Sequence, residues 1–393
     1  MRESFLGSQR QSTNLGMQQH AWIMVGLVTI ITNMTALADP PVVSHDDSFS
    51  KEALFKADVS TLKDTQLVIH PDVPLDPSKN VLWCGTMQLA WNKAIDLVGE
   101  KLHFTTPSPS ADLLNRQDFT DTDLDPASYV ALADFEKNNV EDEIRAALEK
   151  TFQGSASPEL IPPKPSSSGP YDFVAYAYLF KNLSFPKPFL EDSPINFAGT
   201  EVTAFGLGHG REDTHLTQDV LNQVLIYDYK TGQDFIIKLK TKSTNDDLIL
   251  AQVAPQPTLQ ATIDAVLQRF NNSTPQPANF GDSLAVPLIN FDLRRDFSEL
   301  VGLILQPGPN SRIKSALVIA EAKQLVRFQL NEKGAILKSE AVVLALAGAS
   351  GYEREMYFDH PFLILMKRKD SKQPYFALWV GNATLLVSAP KQP

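Results

Sequence analysis

Cys84 is the residue whose type and setting could do covalent chemistry, and it is the one cysteine in 393 residues. It stands in Leu82-Trp83-Cys84-Gly85-Thr86, just ahead of apolar residues at helical spacing. A cysteine at a helix N-terminus can be held as a thiolate, and a thiolate with a histidine partner can act as a nucleophile. His103, His209, His215 and His360 are the candidate partners. The competing assignment is a buried, inert thiol that behaves as a small hydrophobe among Trp83, Met87 and Trp91. Two other stretches invite chemistry and lack its spacing. Gly206 to His215 (GLGHGREDTH) carries no Lys-Ser or Lys-Thr for a phosphate loop, and its histidines do not sit at metal-ligand spacing, so it reads as a surface turn. Asp118 to Asp125 (DFTDTDLD) has alternating acids but no central Gly or terminal Glu, so it reads as a solvated acidic loop rather than a calcium site. No cofactor and no metal are expected.

Papain-like cysteine hydrolases do place their nucleophile at the head of a helix, but the glutamine and the Cys-Trp pair of their signature are missing here. A papain-like hydrolase using Cys84 is therefore kept as an alternative, and the chain is read as a non-enzyme.

A different kind of chemistry is suggested near the C-terminus, where the chain is a substrate rather than a catalyst. Asn331 to Met366 reads NEKGAILKSEAVVLALAGASGYEREMYFDHPFLILM. Side chains alternate across a strand, so Ala335, Leu337, Ser339, Ala341 and Val343 share one face, and Ile336, Lys338, Glu340 and Val342 share the other. The first face carries no charge and both charges fall on the second, which is the pattern of a strand able to bury one side. Ala347-Gly348-Ala349-Ser350-Gly351 then offers small residues that a protease can accommodate. Read without further context, the stretch is an ordinary hairpin with a Gly/Ser loop.

The elements around it are legible to different degrees. Net charge is −11 and the isoelectric point about 5.2, which excludes a broad nucleic-acid surface. Ala21 to Ala38 is an apolar run ending in Ala36-Leu37-Ala38 after Arg2 and Arg10, the pattern of an export signal. Residues 1–38 are thus expected to be a signal peptide, with the mature protein secreted or periplasmic and free of the membrane after cleavage. A single cysteine leaves no internal disulfide, so stability must come from burial. Asp39 to Lys79 reads as a polar lead-in. Val81 to Leu102 reads as a buried helix, Thr105 to Ala127 as a long loop, and Asn139 to Phe152 as a short amphipathic helix with acids in its first turn. Pro158 to Pro170 reads as a linker. Strands are expected at Tyr171–Leu179, 220–229, 234–239, 247–253, 284–291 and 317–330. A helix capped by Thr258 is expected to run to Phe270, with a second short one at Phe297 to Leu305.

Several of these pieces carry a resemblance. They are Tyr176 to Phe189 (YAYLFKNLSFPKPF), the paired strands of Val224 to Val253, the helix Leu259 to Phe270, Val286 to Gly302 (VPLINFDLRRDFSELVG), Asn331 to Gly334 (NEKG) and Phe358 to Phe362 (FDHPF). In this order, and with 26 positions from Glu332 to Phe358, they resemble the serpin family over the last two-thirds of the chain. The first third matches the family poorly. The resemblance implies an α+β, serpin-like fold over 39–393, its helical N-terminal part packed on large mixed or antiparallel sheets, with an exposed reactive loop near the C-terminus. It implies a monomer that inhibits a serine or cysteine protease when the cut loop inserts into the main sheet as a strand. The hinge would be Glu332, Gly334, Ala335, Leu337, Ser339 and Ala341, and the scissile bond would lie near Gly348-Ala349. Ala345, Leu346 and Ala347 before it suit elastase-like or subtilisin-like enzymes, and Arg354 is the cation that could compete for a trypsin-like one. Leu337 is large for an inserting hinge, and overpacking costs about 1–3 kcal/mol. A non-inhibitory binding or structural protein on the same fold is therefore the second reading.

Overall fold

The computed structural model describes residues 55–154, 156, 158–161, 169–208, 216–334 and 354–390. The chain divides into two units, Met1–His45 and Asp46–Pro393, and every described residue belongs to the second. The expected signal peptide, 1–38, lies outside the described residues.

The first third holds more strand than its sequence suggests. Strands β1 (Phe55–Asp58) and β2 (Thr65–Leu67) lie in the stretch read as a polar lead-in. The expected helix from Val81 is split: β3 (Asn80–Cys84) is a strand with every residue buried, and helix α1 (Thr86–Val98) starts after Gly85. A run of four apolar residues covered on both faces has no period that separates strand from helix. The helix α1 ends at Gly99, whose φ of 91° closes the last turn through a bond from its N–H to Ile95 O. The expected loop at 105–127 contains β4's neighbour α2: β4 is His103–Phe104 and α2 is Pro109–Leu114, capped by Ser108. Strand β5 (Tyr129–Phe135) was not legible, because no clean alternation marks it. Helix α3 (Val140–Phe152) matches the expectation, with Glu141, Asp142 and Glu143 in its first turn.

The remainder is mostly β. It comprises β6 (Phe173–Leu179), β7 (Leu190–Phe197), β8 (Thr200–Gly208), the one-turn α4 (Gln218–Leu221), β9 (Val224–Thr231), β10 (Asp234–Leu239) and β11 (Asp246–Gln252). Helix α5 (Leu259–Asn272) follows, and the Thr258 side chain caps it by accepting from Ala261 N–H at 3.1 Å. Then come β12 (Gln276–Pro277), β13 (Ser283–Pro287), β14 (Ile289–Asp296), β15 (Ile304–Gln306), β16 (Leu317–Val318), β17 (Lys323–Leu330), β18 (Glu355–Tyr357), β19 (Phe362–Arg368) and β20 (Phe376–Val380). Four expectations are corrected here: the strand expected at 220–229 starts only at Val224, after α4, the one expected at 317–330 is parted into β16 and β17 by 319–322, and two more differ as follows. Residues 284–291 form two strands, parted at Leu288, and 297–305 is a turn closing through Gly302 (φ 85°) into β15 rather than a helix.

The largest sheet has the order β12-β9-β10-β11-β19-β20-β3-β2, and the others are β18-β13-β8-β7, β1-β14-β17, β16-β15-β4 and β5-β6. Strands β9, β10, β11, β19 and β20 pair antiparallel, each to the next. The main core lies between sheets and is aromatic. Phe197 meets Phe362 at 6.1 Å between ring centres, and Phe328 stacks on Phe376 at 4.6 Å. Helix α5 closes one end of the large sheet with Phe270 stacked on Tyr227 at 3.9 Å. Helix α1 packs against β5 and β6 and reaches β17, so one helix underlies two sheets. The fold is α+β, with few helices on extensive mixed sheets.

Candidate functional site

Strand β17 leads into the stretch singled out above. It pairs with β14 along its whole length, Ile289 opposite Leu330 and Asp296 opposite Lys323, and is the outer strand of that sheet among the described residues. Its even-numbered side chains face the core. Val326 and Leu330 are buried in it, Phe328 stacks on Phe376, and the Gln324 amide donates to Cys84 O at 3.0 Å and to Thr86 Oγ1 at 2.8 Å. Its odd-numbered side chains form the other face, where Arg327 donates to Asp292 at 2.7 Å and to Glu159 at 2.8 Å.

At the end of β17 the chain reverses. Gly334 N–H donates to Asn331 O at 3.1 Å, Asn331 and Gly334 form an antiparallel bridge, and the Asn331 side chain accepts from Lys333 N–H at 3.1 Å. Gly334 has φ of 81°, in the region that favours glycine. The segment after β6 clasps this turn from outside: Phe185 N–H donates to Lys333 O at 3.0 Å and Phe189 N–H to Glu332 O at 2.7 Å. A Cβ on Gly334 would stand 2.6 Å from Phe185 N and 2.7 Å from both Leu183 O and Ser184 Cα, so the clasp admits only glycine there. Glu332 is 8 % exposed and pairs with Lys333 at 2.6 Å. Of the expected hinge, Glu332 and Gly334 therefore sit in a tight turn. Ala335, Leu337, Ser339 and Ala341, with the expected scissile pair Gly348 and Ala349, lie outside the described residues.

The chain is described again from Arg354. Strand β18 runs parallel to β13, with Ser283 opposite Glu355 and Ala285 opposite Tyr357. The FDHPF motif is an anchor: Phe358 and Phe362 are fully buried, 4.9 Å apart between ring centres, while His360 points out and pairs with Asp359 at 2.7 Å. The turn and the anchor are thus both fixed, and residues 335–353 join them.

Cys84 does not make a site. It is 8 % exposed at the end of β3, its Sγ accepts from Thr86 Oγ1 at 3.9 Å, and no histidine is bonded to it among the described residues. Burial pushes its thiol pKa up, with the Thr86 and Gly85 groups only partly offsetting this. A thiol in that state is a poor nucleophile. The acidic loop is also structural. Asp121 meets Lys93 at 3.2 Å, and Asp123 accepts from Thr120 N–H at 2.9 Å and from Ser371 Oγ at 2.6 Å. No group of His, Cys, Asp or Glu that could hold a metal occurs among the described residues. Gly206–Gly208 belong to β8, so that part of the expected surface turn is strand; residues 209–215 lie outside the described ones.

Among the described residues, one histidine escaped the sequence reading. His70, 4 % exposed, accepts from Asp72 N–H at its Nδ1 (3.1 Å) and faces Asp118 across 3.4 Å from its Nε2. These residues and Arg116 line a polar cleft of about 300 Å³ beside the first turn of α5. Burial holds the His70 pKa below its ordinary value, with Asp118 pulling the other way. The one hydroxyl side chain lining the cleft is Thr258, whose Oγ1 caps α5 by accepting from Ala261 N–H at 3.1 Å. Apart from Asp72, the neighbours of His70 are distant in sequence, which is why no motif announced it.

No protein-family model matches this chain, and no curated protein does. Among solved structures, the chain is similar to Serpin48, described as a highly specific serpin in the insect Tenebrio molitor. Identity is 15 %, the match covers 77 % of this chain and 92 % of that one, and the TM-score is 0.44. It is also similar to thyroxine-binding globulin in complex with thyroxine, at 13 % identity, covering 78 % of this chain and 93 % of that one, with a TM-score of 0.45. The serpin resemblance read from the sequence is thus met again among solved structures.

Proposed function

We propose that this protein is an exported, serpin-like protein that acts on proteases, with residues 335–353 as the bait. The observation that carries this reading is the turn at Asn331–Gly334. An antiparallel bridge between Asn331 and Gly334 closes a reversal at the end of β17, whose edge away from β14 has no partner strand among the described residues. Extending that register pairs Leu330 with Ala335, Phe328 with Leu337, Val326 with Ser339 and Gln324 with Ala341. Paired residues of an antiparallel ladder share a face. The core-facing residues of β17 would therefore be matched by the charge-free face of the segment, and Lys338 and Glu340 would fall opposite Arg327 and Leu325 on the other face. A slip by one residue would turn both charges toward the core, where an unpaired charge costs several kcal/mol. Geometry at the turn and charge pattern beyond it agree on one register.

A protease that cuts near Gly348-Ala349 would release this segment to add as a strand. Small apolar residues before that bond favour elastase-like or subtilisin-like partners. The bulk of Leu337, and the two hydrogen bonds by which the 183–189 segment holds the turn, favour a second outcome on the same fold: cutting without trapping.

The test pairs cleavage with a cross-link. Leu325→Cys with Glu340→Cys should form a disulfide after an elastase-like protease has cut the protein, and the cut protein should unfold at a higher temperature than the intact one. Leu325→Cys with Ser339→Cys, one face over, should not cross-link. Cleavage outside 335–353, or cleavage inside it with neither cross-link nor gain in stability, overturns the insertion reading.

A further inference from the structure

Arg354 has the side chain that a trypsin-like protease would select at the C-terminal end of the bait, yet it is not presented as bait. Its guanidinium donates from Nε to Asp282 Oδ1 at 2.9 Å and from Nη2 to Asp282 Oδ2 at 2.7 Å, and its backbone N–H donates to the same Oδ1 at 3.1 Å. Asp282 is fully buried, and the Arg354 side chain is 15 % exposed. The remaining position on the carboxylate is taken by Asn279 N–H, which donates to Oδ2 at 2.7 Å. A carboxylate offers about four acceptor directions, and Arg354 fills three of them. The backbone is held as well. Ser283 N–H donates to Arg354 O at 2.9 Å, and Tyr229 Oη exchanges bonds with the N–H and C=O of Glu355 at 3.3 Å each.

We infer that the Asp282–Arg354 clamp is a specificity determinant: it ends the cleavable segment at residue 353 and withholds the arginine from trypsin-like proteases. A protease of that class must draw the cation into its primary pocket and the flanking backbone into its cleft. Here the guanidinium is turned inward onto a buried carboxylate, and the backbone of Arg354 and Glu355 is engaged in hydrogen bonds. The basic residues left in 331–357 are Lys333, in the clasped turn, and Lys338. This inference takes its meaning from the reading of 335–353 as bait, but its geometry stands without it.

The experiment is limited trypsin digestion of the full-length native protein, of Asp282→Asn and of Arg354→Lys, with cut sites mapped by mass spectrometry and folding checked by thermal unfolding. Asparagine turns an amide donor toward the donors that the carboxylate accepts, and lysine lacks the planar fork while keeping the cation that trypsin needs. Cutting after position 354 should be at least about tenfold faster in Asp282→Asn than in the wild type, because cleavage follows the population of the opened form. Arg354→Lys should also be cut there faster than the wild type, and it decides the matter if Asp282→Asn does not fold. Wild-type protein cut after Arg354 as fast as after Lys338, or folded variants cut there no faster than the wild type, would overturn the clamp. Elastase-like digestion followed by heating reads the bait separately, so the clamp can hold where insertion fails.

Discussion

Replacing Gly334 by alanine tests the turn on which the proposed insertion register depends. Two costs can be worked from the structure. Alanine in the left-handed region costs about 1–2 kcal/mol. The new Cβ would also stand 2.6–2.7 Å from backbone atoms of Leu183, Ser184 and Phe185, which cannot rotate away. The 183–189 segment must then withdraw, and the bonds from Phe185 N–H to Lys333 O and from Phe189 N–H to Glu332 O weaken or break. At about 0.5–1.5 kcal/mol each, these raise the expected loss to about 2–5 kcal/mol. Gly199 supplies the control. Its φ of 89° is similar, but nothing lies within 4 Å of a Cβ placed there, so Gly199→Ala should show the conformational cost alone. Urea unfolding of both variants and the wild type, with the slope of each transition compared, gives the two losses on one scale. Gly334→Ala should be the more destabilised by about 1–3 kcal/mol, the part due to the collision. Equal losses at the two positions would show that the clasp does not hold the turn, and the register argued from it would lose its support.

Two further outcomes follow from buried groups elsewhere. Cys84 should react with a thiol reagent only as the protein unfolds, and Cys84→Ser should leave any reaction with proteases unchanged; fast labelling of the native protein with loss of activity would revive the hydrolase alternative. His70 is held neutral by burial, so its folded pKa lies below the 6.5 of an unperturbed histidine, and the unfolded chain binds the proton more readily. Stability from this group is complete above pH 6.5 and is lost as pH falls toward the lower folded value. His70→Gln should show a shallower loss of stability on acidification, measured by urea titration at several pH values, and parallel curves would refute this account.

Much of the β-rich part could be read directly. Strands β10 and β11 and helix α5 stand within a few residues of their expected bounds, because alternation, the Thr258 cap and the 3.6-residue spacing of Ile263, Val266, Leu267 and Phe270 are local signals. Strand β3 could not be read, since an apolar run buried on both faces looks the same as a helix start. Strand β7 could not either: Glu191, Asp192, Ser193 and Pro194 interrupt any apolar pattern, and its pairing with β8 slips between Asp192 and Ile195. Arg354 read as a competing cleavage site, because nothing near it in sequence reveals Asp282, 72 positions upstream.

By itself, the sequence determined the alternation of 335–343, the charge-free face it creates, the small residues around Gly348 and the glycine at 334. Each is a property of one short segment and needs no partner to be seen. Tertiary structure alone decided which segment clasps the turn at Asn331–Gly334, which edge of β17 lies beyond β14 among the described residues, and where Arg354 is held. Those depend on pairings between residues far apart in the chain: Asn331–Gly334 set beside the 183–189 clasp, β17 laid against β14, and Arg354 folded onto Asp282. A strand's pattern specifies that it needs a partner with a buried side, but the partner is chosen by the whole chain when the core closes.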